Sequence, residues 1–362
     1  MAQLSSLTIR GYKSIKELKE FSLNSLNVLV GANGAGKSNF IGLFKLLNEI
    51  YNQNLQVYLQ KQGGPDALLH FGRKITKSIS VEFKFGYNFY SFELVPTSDN
   101  RLIFEKESTA YSHPYYGGYH ERLVGRGQSE AKVDNTNDSY ADFIKPSLQG
   151  WRVYHFHDTS ESAAVKQKHS VNDNLRLKTD AANLAAYLRM LRLKYPMSYQ
   201  HIVDTIRLVV PYFKDFVYRE NEHDSIELEW FHQADFDTPF RAHTLSDGSL
   251  RFICLTTLLL QPTELQPDTI LIDEPELGLH PYAITLLADM FKQVTEAGRR
   301  QLIVATQSVE LLNELTPEDI VVVEQENASS SFKRFSKAEL SGWLEEYNMG
   351  ELWKRNVLGG RP

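Results

Sequence analysis

The string from Gly31 to Ser38, GANGAGKS, spaces two glycines, a lysine and a serine as G-x-x-x-x-G-K-S, the pattern of a phosphate-binding loop. Glycines let such a loop wrap closely around a phosphate and take positive φ where it must. Lys37 would neutralise charge on the β- and γ-phosphates, and the Ser38 hydroxyl would ligate magnesium. A second string, TILIDEP from Thr269 to Pro275, is an apolar run that ends in two carboxylates. Asp273 is placed to hold magnesium directly or through water, and Glu274 to orient an attacking water or accept its proton. Read alone, the same pair also suits an acidic turn that caps the helix after it. The third string is LSDGS, Leu245 to Ser249, which opens an apolar helical run. Ser246 and Gly248 at a helix N-terminus would form an anion site, while Ser246 or Asp247 can equally serve as an ordinary N-cap.

The elements that must position these residues follow from hydrophobic spacing. The run NVLV predicts a strand leading into the glycine loop. Phe40, Leu43, Phe44, Leu47 and Ile50 recur every three or four residues and predict a helix leaving it, which aims backbone N–H groups at a phosphate. Between Ser78 and Phe104 the pattern becomes alternation, with Val81, Phe83, Phe85, Phe89 and Phe92 predicting an antiparallel meander. Tyr111 to Gly150 lacks periodicity and reads as a long loop or irregular insertion. WRVYHF, Trp151 to Phe156, reads as a strand, and SESAAVKQKHSVNDN after it as a mobile connector. Leu184, Leu188 and Leu191, then Ile202, Ile206 and Val209, predict two helices bounded by Pro196 and Pro211. Phe216 to Tyr218 and Ile226 to Trp230 read as strands. Strands and helices alternate through the last third, which implies a parallel sheet covered by helices. The fold class expected is α/β: a P-loop fold with a mixed central sheet, an antiparallel β meander and a mostly helical insertion lobe. Its expected parts are residues 1–158 (nucleotide-binding lobe, N-terminal part), 159–261 (helical lobe) and 262–362 (nucleotide-binding lobe, C-terminal part).

Composition sets the outer limits. At 362 residues, with 42% hydrophobic and 23% charged side chains, the chain has the make-up of an ordinary folded protein of about two domains. Its longest apolar stretch, Phe252 to Leu260, is far short of the roughly 20 residues that span a bilayer, and no signal-peptide pattern opens it. No membrane partner is expected. A single cysteine, Cys254, fits a reducing compartment, so the expected location is cytoplasmic. The net charge of −6 offers no bulk field for nucleic acid. A local basic surplus, however, lies in the helical lobe at Lys166, Lys168, Arg176, Lys178, Arg189, Arg192 and Lys194, which could track a phosphate backbone. The Tyr-rich segment Tyr111 to Tyr119 is the matching candidate for a protein contact surface.

With these motifs in order, the sequence resembles ABC-type ATPases of the SMC and RecF class, and more closely the stand-alone bacterial family often called AAA-21 or OLD-like ATPases. The resemblance rests on IRGYKSI, GANGAGKSNF, YHFHDTS, LSDGSLRF, LIDEPELGLHP, VATQS and LWKRNVLGGRP. It implies an ATP-binding site at Asn33, Gly34, Ala35, Gly36, Lys37, Ser38 and Asn39, with Mg2+ on Ser38 and Asp273. It also implies a head-to-tail ATP-dependent homodimer in which Ser246 and Gly248 of one subunit meet the γ-phosphate held by the other. Glu274 matches the catalytic glutamate, Glu276 to Pro281 the loop that crosses the dimer seam, and Lys13 a basic position that reaches the nucleotide. Two positions depart from the pattern. Gln307 stands where many relatives carry a switch histidine, so it can position water but carry no proton charge, and Asp247 replaces a commoner glycine, adding negative charge near a phosphate. His157 and Asp158, at the end of the WRVYHF strand, are the candidates for the Q-loop position by place in the chain, the alternative being ordinary polar surface. The function this resemblance implies is an ATP hydrolase that drives a DNA-associated clamp or sensor in anti-phage defence or DNA maintenance, with double-stranded DNA as a candidate partner. The alternative is a nucleotide-gated scaffold that restrains a small effector protein encoded nearby.

Overall fold

The computed structural model describes residues 3–113, 117–219, 224–298 and 300–361, with the backbone alone at Phe236 and Ala297. The chain divides into two units, one of residues 1–152 with 316–362 and one of residues 153–315. In the first unit, alternation builds an antiparallel sheet in the order Ile15–Ser22, Ser6–Tyr12, Ile79–Phe85, Asn88–Pro96, Leu102–Ser112, Tyr119–Gly125. Ile79, Val81, Phe83 and Phe85 all turn to its buried face, as a period of two requires. The phosphate-loop helix, Lys37–Tyr51, buries Phe40, Phe44 and Leu47 and brings Phe44 to that face, its ring 6.5 Å from Phe83. Trp151 seals the contact, its ring 5.2 Å from both Phe44 and Phe83. Burying each of these large rings contributes on the order of 2–3 kcal/mol. The buried strand Leu26–Val30 pairs in parallel with Ile320–Glu326, which turns back through a two-residue hairpin into Ser329–Arg334.

The second unit holds the buried parallel pair Thr269–Asp273 and Gln301–Thr306. Its helices are Leu184–Lys194, Pro196–Val209, Asp247–Leu260, Pro281–Thr295 and Val309–Asn313. Pro196 opens its helix at a position where a missing N–H costs nothing. Phe213–Phe216, Glu229–His232 and Asp235–Arg241 add a small antiparallel sheet.

The strand expected at Phe216 to Tyr218 lies earlier, at Phe213–Phe216, where Phe213 and Phe216 are its buried ends, and three larger expectations change. Tyr111 to Gly150 is regular over much of its length: strand Leu102–Ser112 runs past Tyr111, Tyr119–Gly125 pairs with it, and helix Ser139–Gly150 begins at an Asp138 N-cap. Tyr119–Gly125 left no pattern because it is an edge strand exposed over most of its residues, its side-chain ties being polar ones such as Glu121 to Lys106 and Ser108. Phe89 lies on the opposite face from Phe83, because the Gly86–Tyr87 turn sets Phe83 opposite Tyr90 and makes Tyr90 and Phe92 the buried pair. The connector after Phe156 is a set of hydrogen-bonded turns, Ala163 N to Ser160 O and Lys166 N to Ala163 O among them, with a short strand pairing His169–Ser170 to Ser225–Ile226. Pro114, Tyr115 and Tyr116 of the Tyr-rich segment, and Pro362 of the closing motif, lie outside the described residues.

Candidate functional site

In the first unit the phosphate loop sits between a buried strand and the Lys37–Tyr51 helix. Gly36, the N-cap, has φ of 119° and makes no side-chain cap, so the helix presents its N-terminus, the end that favours an anion, at the loop. Gly31 admits no side chain: a Cβ there would lie 2.1 Å from Val323 O. Lys37 Nζ donates to Gly31 O at 2.6 Å and Ala32 O at 3.0 Å, holding the ammonium over the loop. Ser38, Asn33 and Gly34 are exposed and Asn39 is half-buried. From behind, the Ser330 hydroxyl donates to Ala35 O at 2.5 Å and lies 2.7 Å from Ser14 Oγ, and Ser14 Oγ accepts from Asn39 Nδ2 at 2.8 Å. Lys13 lies over the same helix, its Nζ 3.9 Å from where a Gly42 Cβ would stand. Burial, then the neighbouring Lys45, pull its ammonium below the ordinary lysine value. An uncapped helix N-terminus with a lysine over it suits a polyphosphate. Ser38, exposed at the start of the same helix, offers a hard hydroxyl oxygen of the kind magnesium takes beside phosphate oxygens.

The second unit carries the carboxylates. Strand Thr269–Asp273 is buried up to its last residue, and Glu274 follows with φ of 44°, a left-handed setting that costs a non-glycine residue on the order of 1–3 kcal/mol. Its N–H donates to Ala305 O at 2.8 Å, and Gln307 Nε2 donates to its Oε1 at 2.7 Å. His157 Nε2 lies 2.7 Å from Asp273 O. A carbonyl can only accept, so that nitrogen carries the proton. Ser246 N-caps the Asp247–Leu260 helix, its Oγ accepting from Ser249 N at 3.1 Å. Gly248 is pressed against the loop after Glu276, where a Cβ would lie 2.2 Å from Gly278 O. The structure thus groups Asp273, Glu274, Gln307 and His157 in one cluster of this unit, and Asn33 to Asn39 with Lys13 in one cluster of the other.

The sequence reading gave Arg251 and Ser330 no role, and it gave Glu276 and Lys166 roles other than those the structure shows. Arg251 is buried in the Asp247–Leu260 helix and donates through Nε to Phe156 O at 3.0 Å, through one terminal nitrogen to His157 O at 3.1 Å, and through the other to Leu277 O. It therefore ties that helix both to the His157 strand end and to the loop after Glu276. A lone arginine in an otherwise apolar helix was the available signal. Glu276 turns inward to accept from Thr306 and Gln307. Ser330 backs the phosphate loop. Lys166 Nζ stands 4.0 Å from Asp247 and offsets the negative charge that Asp247 introduces. Lys166 is thereby removed from the basic surface, while Lys178 stays exposed and pairs with Asp173. Arg192 lies over the rings of Tyr199 and Tyr218. Lys168, Arg176 and Lys194 remain exposed and Arg189 is half-buried. Cys254 is buried, which pushes its thiol up to about 12.

Among the described residues no helix is long and apolar enough to cross a membrane. A family profile described as "AAA domain, putative AbiEii toxin, Type IV TA system" matches residues 26–313. A protein of Methanosarcina acetivorans, "Putative ABC transporter ATP-binding protein", is 33% identical over 82 residues, 23% of this chain; the match spans 28% of that protein's length. Two solved structures share the fold. A crystal structure of the SmcHead bound to the C-winged helix domain of ScpA has a TM-score of 0.60 at 16% identity, over 94% of this chain and 99% of that one. A Pyrococcus furiosus Smc head domain with an extended coiled coil, bound to the C-terminal domain of ScpA, has a TM-score of 0.57 at 16% identity, over 96% and 99%. Both bear out the α/β P-loop fold expected from the sequence.

Proposed function

We propose, since this chain belongs to the AAA-21 family of ABC/SMC-like ATPases, that it hydrolyses ATP with magnesium and does so as a head-to-tail homodimer. The observation that carries the hydrolytic reading is the 2.7 Å hydrogen bond from Gln307 to a Glu274 held at φ of 44°. A carboxylate fixed that way at a strand end is preorganised, which is what proton transfer to a positioned base requires. In this reading the Gly31–Ser38 loop and Lys37 bind the β- and γ-phosphates, and Lys13 approaches the same nucleotide. Ser38 and Asp273 hold magnesium, which when bound screens the phosphate charge. Glu274 accepts the proton of the water whose oxygen bonds to the γ-phosphorus as the bond to the β-phosphate oxygen breaks. Gln307 orients that water and Glu274 without taking a proton. His157 holds the backbone of Asp273. Ser246 and Gly248 meet the γ-phosphate across the dimer.

The first reading of the output is a DNA-associated clamp or sensor in anti-phage defence or DNA maintenance, working in the cytoplasm. The second is a nucleotide-gated scaffold for a separate effector protein, favoured by the engagement of Lys166, Lys178 and Arg192 within their own unit. That two structures of similar fold hold a ScpA domain also supports protein recognition. The test is steady-state ATP turnover by the full chain with and without linear double-stranded DNA, alongside sedimentation with and without ATP. A several-fold rise with DNA at low salt that fades as salt is added supports the clamp. Indifference to DNA supports the scaffold. Absence of magnesium-dependent turnover, or a mass that stays monomeric with ATP, refutes the corresponding half of the proposal.

A further inference from the structure

Glu276 lies in the stretch Glu276 to Pro281 that the family resemblance assigns to the dimer seam, yet its side chain turns into the protein and is 8% exposed. Its Oε1 accepts from Thr306 Oγ1 at 2.5 Å and from Gln307 N at 3.0 Å. Its Oε2 is buried with no hydrogen-bond partner among the described residues. Burial pushes the carboxyl above its ordinary value, against the two donors that favour the charged form. Such a group costs free energy to bury, so a purely apolar side chain would serve packing better.

Its bonds account for its presence. Thr306, besides donating to Glu276, accepts from Ser308 N at 3.0 Å. The peptide N–H groups on both sides of Gln307 are therefore fixed, one by Glu276 and the next by Thr306. From that anchored backbone the Gln307 amide reaches Glu274 Oε1 at 2.7 Å. Glu274 and Glu276 sit on one strand end, Thr306 and Gln307 on the neighbouring one, and these hydrogen bonds join them.

We infer that Glu276 is a positioning residue for hydrolysis: it fixes the backbone of Gln307 so that the Gln307 amide holds the Glu274 carboxylate in its working orientation. The inference rests on the ATPase reading. Losing the anchor lets Gln307 move by an ångström or so, which is worth roughly 100-fold in rate, while the phosphate loop is untouched.

The test compares wild type, Glu274→Gln, Glu276→Ala, Glu276→Gln and Thr306→Val in steady-state Mg-ATP turnover, in equilibrium binding of Mg-ATP, and in thermal melting. Glu276→Ala is expected to lower kcat about 100-fold with KM and the Mg-ATP Kd within about twofold of wild type. Glu276→Gln is expected to recover most of kcat, because its amide oxygen still accepts both bonds. Thr306→Val, nearly the same shape, should fall between them and decides the matter if Glu276→Ala does not fold. Wild-type kcat in Glu276→Ala and Thr306→Val, with turnover still abolished in Glu274→Gln, overturns the inference and leaves the ATPase reading standing. Failure of Glu276→Gln to rescue, or loss of ATP binding in parallel with kcat, also overturns it, since either marks a role in stability alone. A wild type whose turnover does not depend on Glu274 overturns both.

Discussion

Replacing Gly248 with alanine sets two effects of opposite sign against each other. A Cβ at Gly248 would stand 2.2 Å from Gly278 O, and real Cβ contacts essentially never fall below 3.0 Å, so the helix start and the loop must part by about 0.8 Å. The atom in the way is backbone, which cannot swing aside as the end of a side chain can. Arg251 also clamps that loop through Leu277 O, so the shift is passed on towards His157 and Glu276. A displacement near 1 Å is worth roughly 100-fold in rate, about 2.7 kcal/mol in the barrier. Alanine in place of glycine in a helix interior, by contrast, stabilises by roughly 1 kcal/mol, and less at Gly248, the second residue of its helix. We expect Gly248→Ala to lower ATP turnover about 100-fold while Mg-ATP binding stays within about twofold and the melting midpoint moves little, the helix gain offsetting part of the strain. Steady-state turnover, equilibrium ATP binding and thermal melting of the same preparation report the three quantities. A variant that melts higher than wild type and turns over at the wild-type rate would refute the reasoning, because the close approach at Gly278 would then relax without consequence.

Lys37→Ala should weaken Mg-ATP binding by about 3 kcal/mol, or roughly 100-fold, the scale of charge-assisted hydrogen bonds, as read by equilibrium dialysis. Ser246→Ala removes the cap on Ser249 N and should cost about 1 kcal/mol in denaturant unfolding. Glu107 is fully buried and accepts from Tyr90 Oη, Gln128 Nε2, Lys132 N and Val133 N, yet burial outweighs those bonds and raises its carboxyl above the ordinary 4.5. The native state therefore holds that proton more tightly than the unfolded chain, so this group's contribution to stability is greatest below 4.5 and declines as pH rises through the raised value, then stays flat. Glu107→Gln should remove that downward slope, and the difference in melting midpoint between wild type and variant across this range measures it.

The phosphate loop and the two carboxylates were legible in the sequence because each is a local string beside an element with its own periodicity. The Lys37–Tyr51 helix and the Ile79–Phe85 strand show that periodicity plainly. The edge strand Tyr119–Gly125 carries no apolar alternation, and Phe89 changed faces because a two-residue turn, not the spacing of phenylalanines, sets the register. The residues that hold the site were harder to see for a different reason. Ser330 meets Ala35 across 295 positions, and Arg251 meets Phe156 across 95. Both bind backbone carbonyls, which every residue has and no pattern marks. Glu276 looked like a surface loop residue by its neighbours, and only the pairing of its strand end with that of Thr306 turns it inward. Lys166 looked like part of a basic face until the fold set it beside Asp247.

The most direct measurement is turnover of Mg-ATP by Glu274→Gln beside wild type, with bound nucleotide recovered and identified. Loss of a positioned general base predicts turnover lower by roughly 10²- to 10⁴-fold, with ATP bound at wild-type affinity and recovered intact. A Glu274→Gln protein that turns over ATP at the wild-type rate would contradict the assignment of hydrolysis to the Glu274–Gln307 pair.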